Sequence, residues 1–228
     1  MRKAPVILLL ACSLGFAPIR SRSKTKEKME NFSERKADVT NGYGAFAYQS
    51  TLSGTEASVA DGRLRLRGNH EEGDQQLYLT AKKMTGRATW SKSMKIVVKL
   101  GGTAKDNVSW HVGVSVGRVK MLFHLGYDTG AFRVETVDTH EELFSNDDMG
   151  FTPATDVMHE MTIQVEKTER GARFAVAVLD GESKKRTYSK KFEVGQKQLG
   201  SYDRIGLERS GRRGGDALFD SVSIKLEK

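Results

Sequence analysis

The chain has one cysteine in 228 residues, Cys12, so no internal disulfide can form and the fold must rest on its packed core. Proline is nearly missing, with three residues, whereas glycine is common, with 23. That balance speaks for turns between ordered segments and excludes collagen-like and low-complexity classes. No window of ten or more residues carries an apolar stripe at helical period, which excludes a helix bundle and a coiled coil. The longest apolar stretch, Ala4 to Ile19, spans about 16 residues and holds two prolines, short of the roughly 20 that a bilayer span needs.

The body of the chain also lacks an excess of charge of either sign. The net charge is +8, but residues 1–29 hold seven basic residues against Glu27 alone, which leaves +2 for residues 30–228. A near-neutral body offers no basic stripe to track a phosphate backbone, so nucleic acid is not an expected partner.

What is present begins with a leader. "MRKAPVILLLACSLGFAPI" has a positive start at Arg2 and Lys3, a short apolar run, and small residues around Cys12, the layout of a secretory signal. Leu9-Leu10-Ala11-Cys12 resembles the bacterial lipobox, which implies cleavage before Cys12 and a lipid on its sulfur. Ordinary secretory cleavage near Ala17 is the competing reading. The expected protein is exported, either as a cell-envelope lipoprotein that meets the membrane only through its anchor or as a secreted chain. "RSRSKTKEKM", Arg20 to Met29, is charged and without apolar periodicity, as a self-repelling spacer would be. The expected organisation is a signal over residues 1–12, a basic linker over 13–29 and one domain over 30–228.

Within the domain the apolar residues repeat every second position. "VSWHVGVSV" sets Val108, Trp110, Val112, Val114 and Val116 on one side of a strand, with Ser109, His111, Gly113 and Ser115 on the other. "RLRLR" (Arg63 to Arg67), "RFAVAVLD" and "SVSIKLE" alternate in the same way. Further strands are expected near Gln75 to Thr80, Met94 to Leu100, Arg118 to Leu125, Ala131 to Val137, Met158 to Glu166, Thr187 to Val194 and Asp203 to Glu208. Asp61-Gly62 and Asp180-Gly181 supply turns between them. About a dozen short strands in one domain predict two packed antiparallel sheets.

Several stretches together, "ENFSE", "VADGRLRLRG" (Val59 to Gly68), "MGFTPATDVMHEMTIQV" (Met149 to Val165) and the final "ALFDSVSIKL" (Ala217 to Leu226), resemble the concanavalin A-like lectin/glucanase superfamily, in its secreted bacterial LamG-like form. The resemblance covers residues 30 to 228. It implies an all-β, two-sheet jelly-roll sandwich in which an N-terminal strand pairs with the last strand and the concave face meets glycans. It also implies a structural calcium ion at the last-strand acid, here Asp220, although Ser221 stands where the pattern has a second acid.

The residues give little support to catalysis. Glycosidases need two carboxylates on one face, and the E-x-D-x-x-E run of this superfamily is missing. Glu135 and Asp138 are three apart and so point to opposite faces, and the adjacent Glu141 and Glu142 diverge. No G-x-S-x-G run occurs, and the histidines at 70, 111, 124, 140 and 159 lack local metal spacing. "SNDDMG", Ser145 to Gly150, reads as a solvated loop.

One hairpin gathers the polar side chains. A turn at Tyr127 to Gly130 would pair His124 with Arg133 and Leu122 with Glu135, and so place His111, His124, Arg133 and Glu135 on one surface beside Tyr127. That surface is either an ordinary solvated face or a sugar-binding platform. Trp110 belongs to the core, because its face is otherwise valine. The expectation is a non-catalytic lectin-like module that binds a glycan or a cell-envelope component. The alternatives are a polysaccharide-active glycoside hydrolase and a structural protein-protein module of the envelope.

Overall fold

The computed structural model describes residues 26–32, 46–50, 57–67, 75–81, 93–103, 109–126, 131–137, 139, 141–200, 205–211 and 214–227. Cys12, the leader and Tyr127 lie outside them.

The strands are, in chain order, β1 (Lys26–Asn31), β2 (Phe46–Ser50), β3 (Ala57–Ala60), β4 (Arg63–Leu66), β5 (Gln75–Ala81), β6 (Ser93–Gly102), β7 (Ser109–Val116) and β8 (Val119–Gly126). They continue with β9 (Ala131–Thr136), β10 (Glu142–Asp148), β11 (His159–Thr168), β12 (Gly171–Leu179), β13 (Thr187–Gly195), β14 (Ile205–Ser210) and β15 (Ala217–Glu227); one short helix, α1 (Gln196–Leu199), precedes β14. Two antiparallel sheets result. One runs β13-β12-β11-β6-β15-β4-β3, with β1 also on β15, and the other runs β10-β9-β8-β7-β14-β5-β2.

Each alternating segment read from the sequence is a strand, and its apolar set points between the sheets. Leu64, Ile96, Val98, Ile163, Phe174, Phe219 and Val222 from the first sheet meet Val112, Val114, Met121, Phe123, Phe132 and Leu207 from the second, all fully buried. A fully buried side chain of this size contributes about 1.5–3 kcal/mol through its removal from water.

Turn chemistry sets the registers. Asp61 and Gly62 both take positive φ, 52° and 72°, between β3 and β4, as a tight hairpin of primed type requires. Between β7 and β8 the two turn residues are Gly117, at φ 59°, and Arg118. Only glycine takes that first position without strain, and the tight turn locks Val116 opposite Val119 and, further out, His111 opposite His124.

β1 pairs with β15 from Lys26↔Leu226 to Asn31↔Ser221, the expected union of N-terminal and last strands. It begins inside the stretch expected to be linker. It continues the sheet edge where β4 stops, because β4 pairs only with Ala217 to Phe219. The solvated loop expected over Ser145 to Gly150 is corrected: Ser145 to Asp148 belong to β10, an irregular edge strand with two register shifts against β9. Only its end turns away, where Gly150, at φ 71°, donates its N–H to Asp148 Oδ1 at 2.8 Å. Asn and Asp favour turns, but cross-strand pairing overrides that preference here.

Candidate functional site

The face of the seven-stranded sheet that points away from the core carries the polar residues. Across β14-β7-β8-β9 the strands align in rows: Gly206, Ser115, Lys120, Glu135 in one, Glu208, Gly113, Leu122, Arg133 in the next, then Ser210, His111, His124. The expected pairing of β8 with β9 is corrected. Arg133 lies opposite Leu122 and Glu135 opposite Lys120, two residues from the register that a tight turn at Tyr127 to Gly130 would give. A slip of two preserves which face a side chain occupies, so His111, His124, Arg133 and Glu135 do share one surface.

His111 and His124 face each other directly. Their Nε2 atoms are 2.6 Å apart and the rings meet edge to face at 3.9 Å, so one Nε2–H donates to the other nitrogen. His124 is buried, and His111 is half-buried at the surface.

One row along, charge is buried. Lys120 is 0% exposed and its Nζ lies 3.7 Å from Glu135 Oε1, while Arg133 Nε lies 2.9 Å from Glu135 Oε2. Arg133 Nε also lies 3.5 Å from Glu142 Oε2, so one guanidinium joins the carboxylates of β9 and β10. On the other side, Ser115 Oγ donates to Glu208 Oε1 at 2.5 Å, and both residues are fully buried. A β-carbon at Gly206 would collide with both of those oxygens, so a residue without one is needed to leave them room.

Three of these residues were not legible as site residues. Lys120, Ser115 and Glu208 occupy outward positions of period-two strands, where lysine and glutamate ordinarily meet water. Ser115 and Glu208 are also 93 residues apart in the chain. The carboxylate pairing is corrected as well. Glu142 lies directly across from Glu135, because Thr136 closes the β9–β10 hairpin by accepting the N–H of Glu141 on its Oγ1 at 3.0 Å. Both carboxylates reach the same Arg133 nitrogen, Glu135 at 2.9 Å and Glu142 at 3.5 Å, as cross-strand neighbours can. Glu135 and Glu208, by contrast, are three strand spacings apart, about 14 Å, too far to act on one bond.

The remaining candidates serve the fold. His159 is buried: its Nδ1 accepts the N–H of Gly181 at 3.0 Å and its Nε2 faces the Ala154 carbonyl oxygen at 3.1 Å, which ties β11 to the β12–β13 turn. Burial pushes the neighbouring Asp180 carboxyl up. Hydrogen bonds from the Ser183 side chain and from the N–H groups of Glu182 and Ser183, with the His159 ring close by, outweigh burial and hold it below its ordinary value.

Asp220 sits at a bulge of β15 and meets Lys99 Nζ at 3.9 Å. Among the described residues no three His, Cys, Asp or Glu side chains gather as a metal shell. Calcium at Asp220 would have to compete with that lysine ammonium.

No protein-family model matches the chain, and no curated protein matches it by sequence. Solved structures do match by shape. A protein of unknown function from Shewanella oneidensis MR-1 aligns with a TM-score of 0.61 at 10% identity, over 98% of this chain and 97% of that one. The endo-1,3-β-glucanase of Streptomyces sioyaensis aligns at 0.57 and 10% identity, over 93% and 100%. Lectin I of Ulex europaeus, solved with the methyl glycoside of α-L-fucose, aligns at 0.53 and 10% identity, over 89% and 98%. The strand order, the pairing of first with last strand and these alignments agree on one architecture: the chain has the concanavalin A-like jelly-roll fold.

Proposed function

We propose that the protein is a lectin-like module whose outer seven-stranded face binds a glycan without cleaving it. The observation that carries this reading is the buried Lys120–Glu135 pair, with Arg133 beside it, outside the inter-sheet core. Burying charge costs several kcal/mol per ion, and the fold already has a complete apolar core between its sheets. The row earns its place by fixing Arg133, which stays 29% exposed, as a rigid donor on the surface. His124 orients the half-buried His111 in the same way. Arg133 and His111 then present fixed donors and acceptors to sugar hydroxyls, while Glu135 and His124 position them from beneath. The lectin and glucanase neighbours are consistent with a glycan as the partner.

Glu135 and Glu142 favour a second reading, a glycoside hydrolase, because they lie directly across from each other on one face of neighbouring strands, as a pair of catalytic carboxylates must. Against it, Arg133 occupies the space between them, where a glycosidic bond would have to lie.

A glycan array with a parallel assay for released sugar separates the two. The module is expected to retain a glycan with no product, and Arg133→Ala to weaken retention at least tenfold. Sugar release abolished by Glu135→Gln would establish the hydrolase instead. The sequence of the leader supports export with a lipid on Cys12, so Cys12→Ser is expected to shift the protein from the membrane fraction to the soluble one; an unchanged distribution would exclude the anchor.

A further inference from the structure

We propose a second binding site on the opposite sheet: a groove across the outer face of the eight-stranded sheet that takes an anionic glycan, carboxylated or sulfated. The register builds it from one row. Lys191 of β13 lies opposite Ala175 of β12, Ala175 opposite Gln164 of β11, Gln164 opposite Lys95 of β6, and Lys95 opposite Lys225 of β15. These residues line a groove of about 570 Å³. The row spans four strand spacings, about 19 Å.

The charge of the row is uncompensated. Lys95 and Lys225 stand directly across from each other, an arrangement that destabilises a sheet when both carry the same sign. Among the described residues no carboxylate forms an ion pair with Lys95, Lys191 or Lys225. In the adjacent row, Glu166 and Glu193 are engaged by Arg173 at 3.4 and 3.1 Å. β1 brings Glu27 to the register position beside Lys225, and even with that carboxylate counted the row keeps a charge of +2. An anion lying along the row would relieve the repulsion and meet all three ammonium groups.

The rest of the lining selects the class of anion. Ala175 leaves a low floor between taller neighbours, and Gln164 and Ser93 offer hydrogen bonds of the kind sugar hydroxyls make. Among the described residues the lining holds no aromatic side chain, so these residues give no platform on which nucleic-acid bases could stack.

The test measures binding of the full chain to immobilised heparin and to polygalacturonate, with dextran as the neutral control, over a range of salt. Binding to a charged glycan but not to dextran is expected. The Lys95→Gln/Lys191→Gln/Lys225→Gln variant, checked for an unchanged melting temperature, should bind at least tenfold more weakly, with a salt slope lower by about 3. Wild type and variant share the same basic leader, so their difference reports the groove alone. Lys184→Gln, an exposed lysine in the β12–β13 turn, should leave this binding unchanged. Equal binding by the triple variant would overturn the proposal. So would no binding to either charged glycan, or tighter binding to a DNA duplex or to phosphatidylglycerol vesicles at the same salt.

Discussion

Glu135→Ala is expected to lower stability by about 3–5 kcal/mol, because it strips a buried ammonium of its carboxylate. Lys120 is 0% exposed and Glu135 3% exposed, with their charged atoms 3.7 Å apart. For a chain of this size that loss corresponds to a fall in melting temperature of about 10 °C. Lys120→Met combined with Glu135→Leu should recover most of it, since a well-packed apolar pair often replaces a buried ion pair without loss. Thermal melts of the two single variants and the double variant decide the matter. If Glu135→Ala melts within 2 °C of wild type (about 1 kcal/mol at this size), the row is not buried as described.

Trp110→Ala should cost a similar amount, about 3–5 kcal/mol, through the cavity it leaves. The indole is fully buried, and Gly102 and Gly214 lie against it where any β-carbon would collide with the ring. The guanidinium of Arg209 stands 5.5 Å from the ring centroid, held there by its Nε–H to the Gly215 carbonyl at 3.0 Å and its Nη1–H to the Gly211 carbonyl at 2.7 Å. Loss of the ring therefore also removes a desolvated cation–π contact. The expected signature is a large fall in melting temperature with glycan retention preserved in the folded fraction. The opposite pattern, a stable variant that no longer binds, would make Trp110 a sugar platform rather than a core residue.

The strands were legible in the sequence because period-two alternation records burial on one face. Val112, Val114 and Val116 could hardly serve any other arrangement, and the Trp110 assignment followed from the same pattern. The site was legible only in part. Parity placed His111, His124, Arg133 and Glu135 on one surface, and a two-residue error in register did not disturb that result. Partners were another matter, since register depends on turn geometry at residues such as Gly117, and pairing across distant strands leaves no local trace. Lys120 and Glu208 had the sequence signature of solvated residues. Their burial leaves no trace in the local pattern. The carboxylate pair of Glu135 and Glu142 leaves no signal in residue spacing for a related reason: it forms across two strands, not along one.

The proposed function requires that Arg133 and the His111–His124 pair contact sugar rather than form a mere polar backing of the sheet. Titration of the full chain with its retained glycan, followed through the imidazole Cε1–H and arginine Nε–H resonances by NMR, tests it most directly. Saturable shifts of the His111 and Arg133 signals are expected, with His159 unmoved. Shifts confined to residues of the eight-stranded sheet, with His111 and Arg133 silent at saturation, would contradict it.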